Sequence, residues 1–207
     1  MRATIGSMLY GFHILAHPFE GFWDLKHVKK NTFSASGIIL LCVMLSVVLK
    51  IQASGFLFRT GAAEDINLIM ELLTVLLPLG LWVCVNWSIT TLFDGKASMK
   101  VIFISTVYAL LPLALIFIPQ VILSRFFTLD EKAFYVVMDV IAAVWTVFLL
   151  LTGSAAVQDY TMFKTIVSAF CTLIGIVAVL FLLSVLYSAL SQLIGFFTTI
   201  LMELRFW

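Results

Sequence analysis

The sequence predicts an all-α membrane protein: a five-span transmembrane helical bundle with an amphipathic N-terminal interfacial segment. Three observations carry that prediction. Apolar residues make up 63% of the 207-residue chain and charged residues only 11%, with a mean hydropathy of +1.16. A soluble domain carries roughly 25% charged residues, and no water-soluble fold could bury such an apolar surplus. The apolar residues also fall in long unbroken runs separated by short charged corners. Finally, these runs lack the ~10-residue alternation of membrane β-strands. A helix satisfies its own backbone hydrogen bonds in hydrocarbon, where no water can.

Composition divides the chain into an amphipathic cytoplasmic, interfacial segment (residues 1–33) and a transmembrane helical domain (residues 34–207). Gly6, Tyr10, Gly11 and His13 interrupt any apolar signal-peptide core. Ile5, Met8, Phe12 and Leu15 recur at helical spacing, which suggests a helix lying among headgroups. Pro18 opens a second short helix, and Glu20 suits the positive end of its dipole. Phe19, Phe22, Trp23 and Leu25 beside Asp24, Lys26, Lys29 and Lys30 fit an interface anchor of aromatics and cations.

Five apolar runs follow, at about 34–49, 66–91, 99–123, 134–152 and 164–187. Each is near the ~20 residues that cross the hydrocarbon. The first extends further if Lys50 snorkels, and the apolar tail 188–207 either prolongs the fifth run or bends along the interface. Five spans put the termini on opposite sides. With the amino end inside, Arg2, Lys26, Lys29, Lys30, Lys96, Lys100 and Lys164 lie inside, against Lys50, Arg59, Arg125, Lys132 and Arg205 outside. That bias favours a multi-pass protein of the cell membrane with a cytoplasmic amino terminus and the carboxyl terminus opposite.

Polar residues within the apolar runs are the candidate sites. Glu71 stands about one turn into the second run. Glu71, Pro78, Trp82 and Asn86 fall within about 80° of one another on that helix. An ionisable group at depth is costly unless paired, so it is a functional candidate by default. The structural alternative is a shallow carboxylate within reach of headgroups, or one capped by Arg59 or Arg125. Asp139, in the fourth run, could form a proton or cation site with Glu71 between helices, or make a structural hydrogen bond to a neighbouring helix; no cation inside the spans is expected to pair with it. Pro78, Pro112 and Pro119 loosen three places, for ligands or for packing. Asp94-Gly95-Lys96 reads as a tight turn with glycine in the left-handed conformation.

Other chemistry finds little support. Cys42, Cys84 and Cys171 all lie in apolar runs, and an odd count without CxxC spacing suggests small packing residues. His13 and His17 are four residues apart near His27, but without an HExxH pattern they read as interfacial groups rather than a metal site. No catalytic set or cofactor motif is visible, and a net charge of +1 gives no footprint for nucleic acid.

Three stretches together carry a resemblance. His17-Pro18-Phe19-Glu20-Gly21-Phe22-Trp23-Asp24-Leu25-Lys26 resembles the amino-terminal motif of prokaryotic members of the Yip family (Ypt-interacting-protein family). Asn86-Trp87, Asp94-Gly95-Lys96 and Tyr108-Ala109-Leu110-Leu111-Pro112 are similar to its central signature, a glycine turn followed by a YA-x-x-P step. Asp159-Tyr160 before Lys164 is similar to the last inner loop. The resemblance implies about five membrane helices with a cytosolic amino end, and no catalytic residues. Eukaryotic relatives belong to the early secretory pathway and associate with Rab GTPases and with one another. The short prokaryotic form, which this chain resembles more, often accompanies components of sugar-uptake ABC transporters.

These readings converge on a non-enzymatic accessory or scaffold protein. Its expected partners are membrane lipids and other integral membrane proteins, carbohydrate ABC transporter subunits among them, or a second copy of itself. Ala142, Ala143, Gly153, Ala169 and Gly175 would permit close helix contacts within the bundle or with a partner. The alternatives are a small permease or channel using Glu71 and Asp139, and a lipid-organising protein acting through its amphipathic ends.

Overall fold

The computed structural model describes residues 10–27, 33–53, 68–128 and 131–205, and these contain no strand. Residues 10–16 are helical and lead into α1 (Pro18–His27). There follow α2 (Phe33–Ala53), α3 (Leu68–Leu92), α4 (Met99–Ala109), α5 (Leu111–Leu123), α6 (Lys132–Gln158) and α7 (Met162–Arg205). Five stretches are long and apolar enough to cross a bilayer: α2, α3, α4 with α5, α6, and α7. The chain is therefore an all-α membrane bundle, and outward-facing apolar side chains such as Leu41, Ile69, Val144 and Phe170 are its lipid-facing surface.

Helix α6 is the hub, packing against α1, α4, α5 and α7, while α2 lies on α5 and α3 on α7. Small residues set these approaches. A Cβ on Gly153 would stand 2.7 Å from Ser105 Oγ and 3.1 Å from the Phe22 ring, and one on Gly175 would stand 2.7 Å from Val85. Ala142 is buried as well, whereas Ala143 faces outward. Cys42 and Cys84 are exposed rather than packed, and Cys171 is half-buried.

The third span is not one rod. Leu110 closes α4 through bonds from its N–H to the Thr106 and Val107 carbonyls, and α5 begins at Leu111. Pro112 is the second residue of α5, where its missing N–H is tolerated, but it cannot continue the ladder of α4. Pro78 and Pro119, by contrast, stand inside α3 and α5 without ending them.

The amino-terminal segment forms a helical hairpin that docks into the bundle. Its two arms, 10–16 and α1, meet so closely that a Cβ on Gly21 would stand 2.7 Å from the Ile14 side chain. The Tyr10 hydroxyl donates to the Gly21 carbonyl at 3.2 Å and to Asp24 Oδ2 at 3.1 Å. Ile14, Phe22 and Leu25 join one buried cluster with Ile39, Tyr108 and Leu149. Phe12, Phe19 and Trp23 stay exposed. The apolar face expected from spacing is thus rotated: Ile14 and Phe22 turn to protein, and Phe12 turns away. Ile5, Met8, Lys29, Lys30 and Arg59 lie outside the described residues.

Helix α7 runs without a break for 44 residues, about 66 Å at the α-helical rise. The apolar tail therefore prolongs the last span. Residues 181–200 are exposed along their whole length.

Candidate functional site

The spans alternate in direction, so their ends gather at two faces. The face that carries α1 also holds the α3–α4 and α6–α7 corners, and these close with the same device. In each, the residue past the helix adopts a left-handed conformation: Asp94 at φ 57° and Asp159 at φ 57°. The following N–H reaches back to a helical carbonyl, Gly95 to Thr90 at 2.8 Å and Tyr160 to Ala155 at 3.0 Å. This is the Schellman arrangement with aspartate in the place glycine usually fills. The left-handed residue of the first corner is thus Asp94, not Gly95 as the turn motif suggested. Gly95 serves another need, since a Cβ there would stand 2.5 Å from Gln158 Oε1, 2.8 Å from the Thr90 carbonyl and 2.9 Å from the Tyr160 hydroxyl.

A polar network ties the two corners together. Gln158 is buried; its Nε2 donates to Thr90 Oγ1 at 3.0 Å and its Oε1 accepts from the Ala97 N–H at 3.1 Å. The Tyr160 hydroxyl donates to the carbonyls of Phe93 (2.9 Å) and Thr90 (3.2 Å). Burial, and then the negative charge of Asp94, push the Tyr160 phenol up. Deeper in the span, Asn86 donates to Thr172 Oγ1 at 3.3 Å. The hairpin joins through Lys26, whose Nζ lies 2.7 Å from Asp159 Oδ2, with Lys96 at 3.5 Å from the same oxygen. Lys26 holds the Asp159 carboxyl below the usual carboxylate range, with Lys96 adding to the effect.

Between the hairpin and the α6–α7 corner lies an open cavity of about 610 Å³. Glu20 and Asp24 from one stripe of α1, Phe19 and Trp23 from the next, His13, and Tyr160 line it. Burial and the hydrogen bond to Asp24 push the Tyr10 phenol above its ordinary value, which keeps it a donor to that carboxylate. His13 stacks between Tyr10 and His17, with ring centroids 5.4 Å away on each side.

The opposite face holds the two intramembrane carboxylates. Asp139, two turns inside α6, pairs with Lys50 from the end of α2 and accepts a 2.7 Å bond from Gln120 Nε2. Gln120 also donates to the Tyr135 carbonyl at 3.0 Å, and the Lys50 ammonium stands 3.8 Å from the Phe117 ring centroid. The expectation that no span cation would reach Asp139 fails here. Lys50 turns inward because an ion pair under an aromatic ring is within reach of its four-carbon stem. Glu71 is buried and accepts from Gln52 Nε2 at 2.9 Å. Its stripe is broken, since Asn86 is buried while Pro78 is exposed and borders, with Trp82, a lipid-facing apolar groove of about 760 Å³.

The residues picked out by motif fall into three groups. Pro18 and Glu20 open α1, Asp94 and Gly95 form the first corner, and Tyr108 and Pro112 flank the break at Leu110, with Tyr108 in the core. Thr90, Gln158, Gln52 and Gln120 escaped sequence reading: Gln52 and Gln120 are single amides in or beside apolar runs, and Thr90 and Gln158 sit among the polar residues that end a span. A lone amide in that setting was the available signal.

No curated protein and no solved structure shows a significant match to the chain. The family model described as the Yip1 domain matches residues 12–186, from the first arm of the hairpin to well inside α7. The matched stretch takes in most of the hairpin, both corners, the first four spans and the first half of α7, so the chain belongs to the Yip family of multi-span membrane proteins.

Proposed function

We propose that the protein is a non-enzymatic accessory or scaffold of the membrane that associates with another integral membrane protein. The observation that carries this reading is the second half of α7. Residues 181–200 are largely apolar and exposed on every side, twenty residues that bury no side chain among the described residues and that continue a helix already long enough to span. Seryl and glycyl positions on it, Ser184, Ser188, Ser191 and Gly195, would let a second helix approach closely. Subunits of a carbohydrate ABC transporter are the partner class the family resemblance favours. The face bearing α1 is assigned to the cytoplasm. It carries Lys26, Lys96, Lys100 and Lys164 against Lys50, Arg125 and Lys132 on the other side among the described side chains, which supports that placement.

Photocrosslinking groups placed along 181–200 in native membranes test this. A crosslink to one recurrent integral membrane protein is the expected outcome. Recovery of the chain without a partner from every position, and in every mild detergent, would count against it.

The permease reading has less support. Asp139 is engaged by Lys50 and Gln120, and Glu71 by Gln52, so each carboxylate already has a structural partner. Solute or proton flux in vesicles that Glu71→Gln or Asp139→Asn abolishes would restore it.

A further inference from the structure

We propose that the 610 Å³ cavity beside α1 binds the ammonium headgroup of a zwitterionic phospholipid, phosphatidylethanolamine. Among the described residues, the charged side chains lining it, His13 apart, are the carboxylates of Glu20 and Asp24. Being four residues apart, they project from one stripe of α1. Phe19 and Trp23, also four apart, form the adjoining stripe, and Tyr160, its ring already engaged by Lys164, adds a wall from the α6–α7 corner. Carboxylates beside aromatic faces recognise an organic cation: the acids supply charge and acceptors, the rings their negative faces.

The anionic half of such a ligand also has a counterpart. Lys164 Nζ lies 4.3 Å from the centroid of the Tyr160 ring, at the mouth of the same corner. Lys164 stands beside the Tyr160 wall rather than in the lining, so ammonium toward Glu20 and phosphate toward Lys164 would follow the order of charges in a zwitterionic headgroup. The remaining lining, Ala155, Ala156 and Met162, is apolar and leads onto the lipid-facing flank of α6 and α7. That is the path for acyl chains. The cavity stands where α6 ends and α7 begins, at headgroup depth. A primary ammonium carries three N–H donors for the two carboxylates, which a trimethylammonium lacks. Ethanolamine is therefore favoured over choline.

The test is lipid retention by the purified full-length protein, read by native mass spectrometry. The detergent is doped in turn with phosphatidylethanolamine, phosphatidylcholine and phosphatidylglycerol. Phosphatidylethanolamine should be retained about tenfold over phosphatidylglycerol and several-fold over phosphatidylcholine, a discrimination on the order of one charge-assisted hydrogen bond. Glu20 is exposed, so Glu20→Gln should fold normally, shown by an unchanged melting temperature, and lose most of that preference. Glu20→Asp should retain part of it, and Trp23→Leu should weaken retention of both zwitterionic lipids. Equal retention of phosphatidylglycerol, or an unchanged preference in Glu20→Gln, overturns the proposal. Competition by free O-phosphoethanolamine at equal concentration would overturn the lipid assignment in favour of a soluble phosphoamine.

Discussion

Replacing Gly95 with alanine should destabilise the protein, although the change adds only one methyl group to a surface corner. The new Cβ would sit 2.5 to 2.9 Å from three oxygens, where ordinary contact begins near 3.4 Å. The neighbours must retreat by about 0.5 to 0.9 Å, and none is free to do so. Gln158 is held at both ends, the Tyr160 hydroxyl by two carbonyls, and the Thr90 carbonyl closes the helix cap itself. Overpacking of this kind costs about 1–3 kcal/mol. Pulling Gln158 off the Ala97 amide, or Tyr160 off its carbonyls, adds about 1 kcal/mol or more. The expected loss is therefore about 2–4 kcal/mol, on the order of a 5–10 °C drop in melting temperature for a chain of this size. Tryptophan fluorescence during heating in detergent reads it. Gly37→Ala in α2 is the control, since a Cβ there meets nothing within 4 Å and a mid-helix glycine-to-alanine change gains up to about 1 kcal/mol. If Gly95→Ala melts with the wild type, or Gly37→Ala falls as far, the account of this corner is wrong.

Three further outcomes are expected. Lys50→Met leaves Asp139 without its cation and should cost about 2–3 kcal/mol, less than for a fully buried pair because Asp139 is partly exposed; Lys50→Met with Asp139→Leu should recover much of that loss in a double-mutant cycle of melting temperatures. The folded-state lowering of the Asp159 carboxyl means that its stabilisation is complete above the unfolded carboxylate pKa and is lost as pH falls through the lower folded value. The melting-temperature gap between wild type and Asp159→Asn should therefore be flat near neutrality and shrink only below about pH 4; asparagine tolerates the left-handed backbone, so the comparison isolates charge. Phe22→Ala empties a fully buried site against Gly153 and should cost about 3–5 kcal/mol, with hydrogen exchange rising first over 10–27.

What could be read from the residues was what lipid imposes. Uninterrupted apolar length located every span: the second and third nearly coincide with the observed helices, α2 and α6 run on by about one to two turns, and α7 continues 18 residues beyond the expected end. Which side of a span faces protein was much harder to read. In water an apolar stripe marks the core, but here both faces are apolar, so Phe12 and Ile14, or Cys84 and Val85, cannot be told apart by hydropathy. Lys50 shows the same ambiguity for charge: its stem is long enough either to snorkel or to turn inward, and only the position of Asp139 decides. The Asp94-Gly95 turn was located correctly but with the roles of its residues exchanged. Both aspartate and glycine reach the left-handed region, and only the approach of Gln158 and Tyr160 shows which one needed to be small.

The placement of polar groups follows from the weakness of apolar contacts as a specifying force in this solvent. Lipid tails solvate leucine as well as another helix does, so association must come from close packing and from hydrogen bonds between helices. The protein places such bonds at both ends of its bundle: Gln158, Thr90 and Tyr160 on the face bearing the hairpin, Lys50, Asp139 and Gln120 on the other. Elsewhere the helices are joined by the Asn86–Thr172 bond, by a buried cluster that includes Tyr108 and Leu149, and by close approaches at small residues such as Ala142 and Gly153. The first half of α7 obeys the same rule, burying Thr165, Ser168 and Thr172 against its neighbours. Its second half carries a comparable series, Ser184, Ser188, Ser191 and Gly195, exposed along its length. Small and hydroxyl residues mark helix contacts in the half that is packed, and the same pattern in the exposed half is what supports the proposal that a helix from outside this chain docks there.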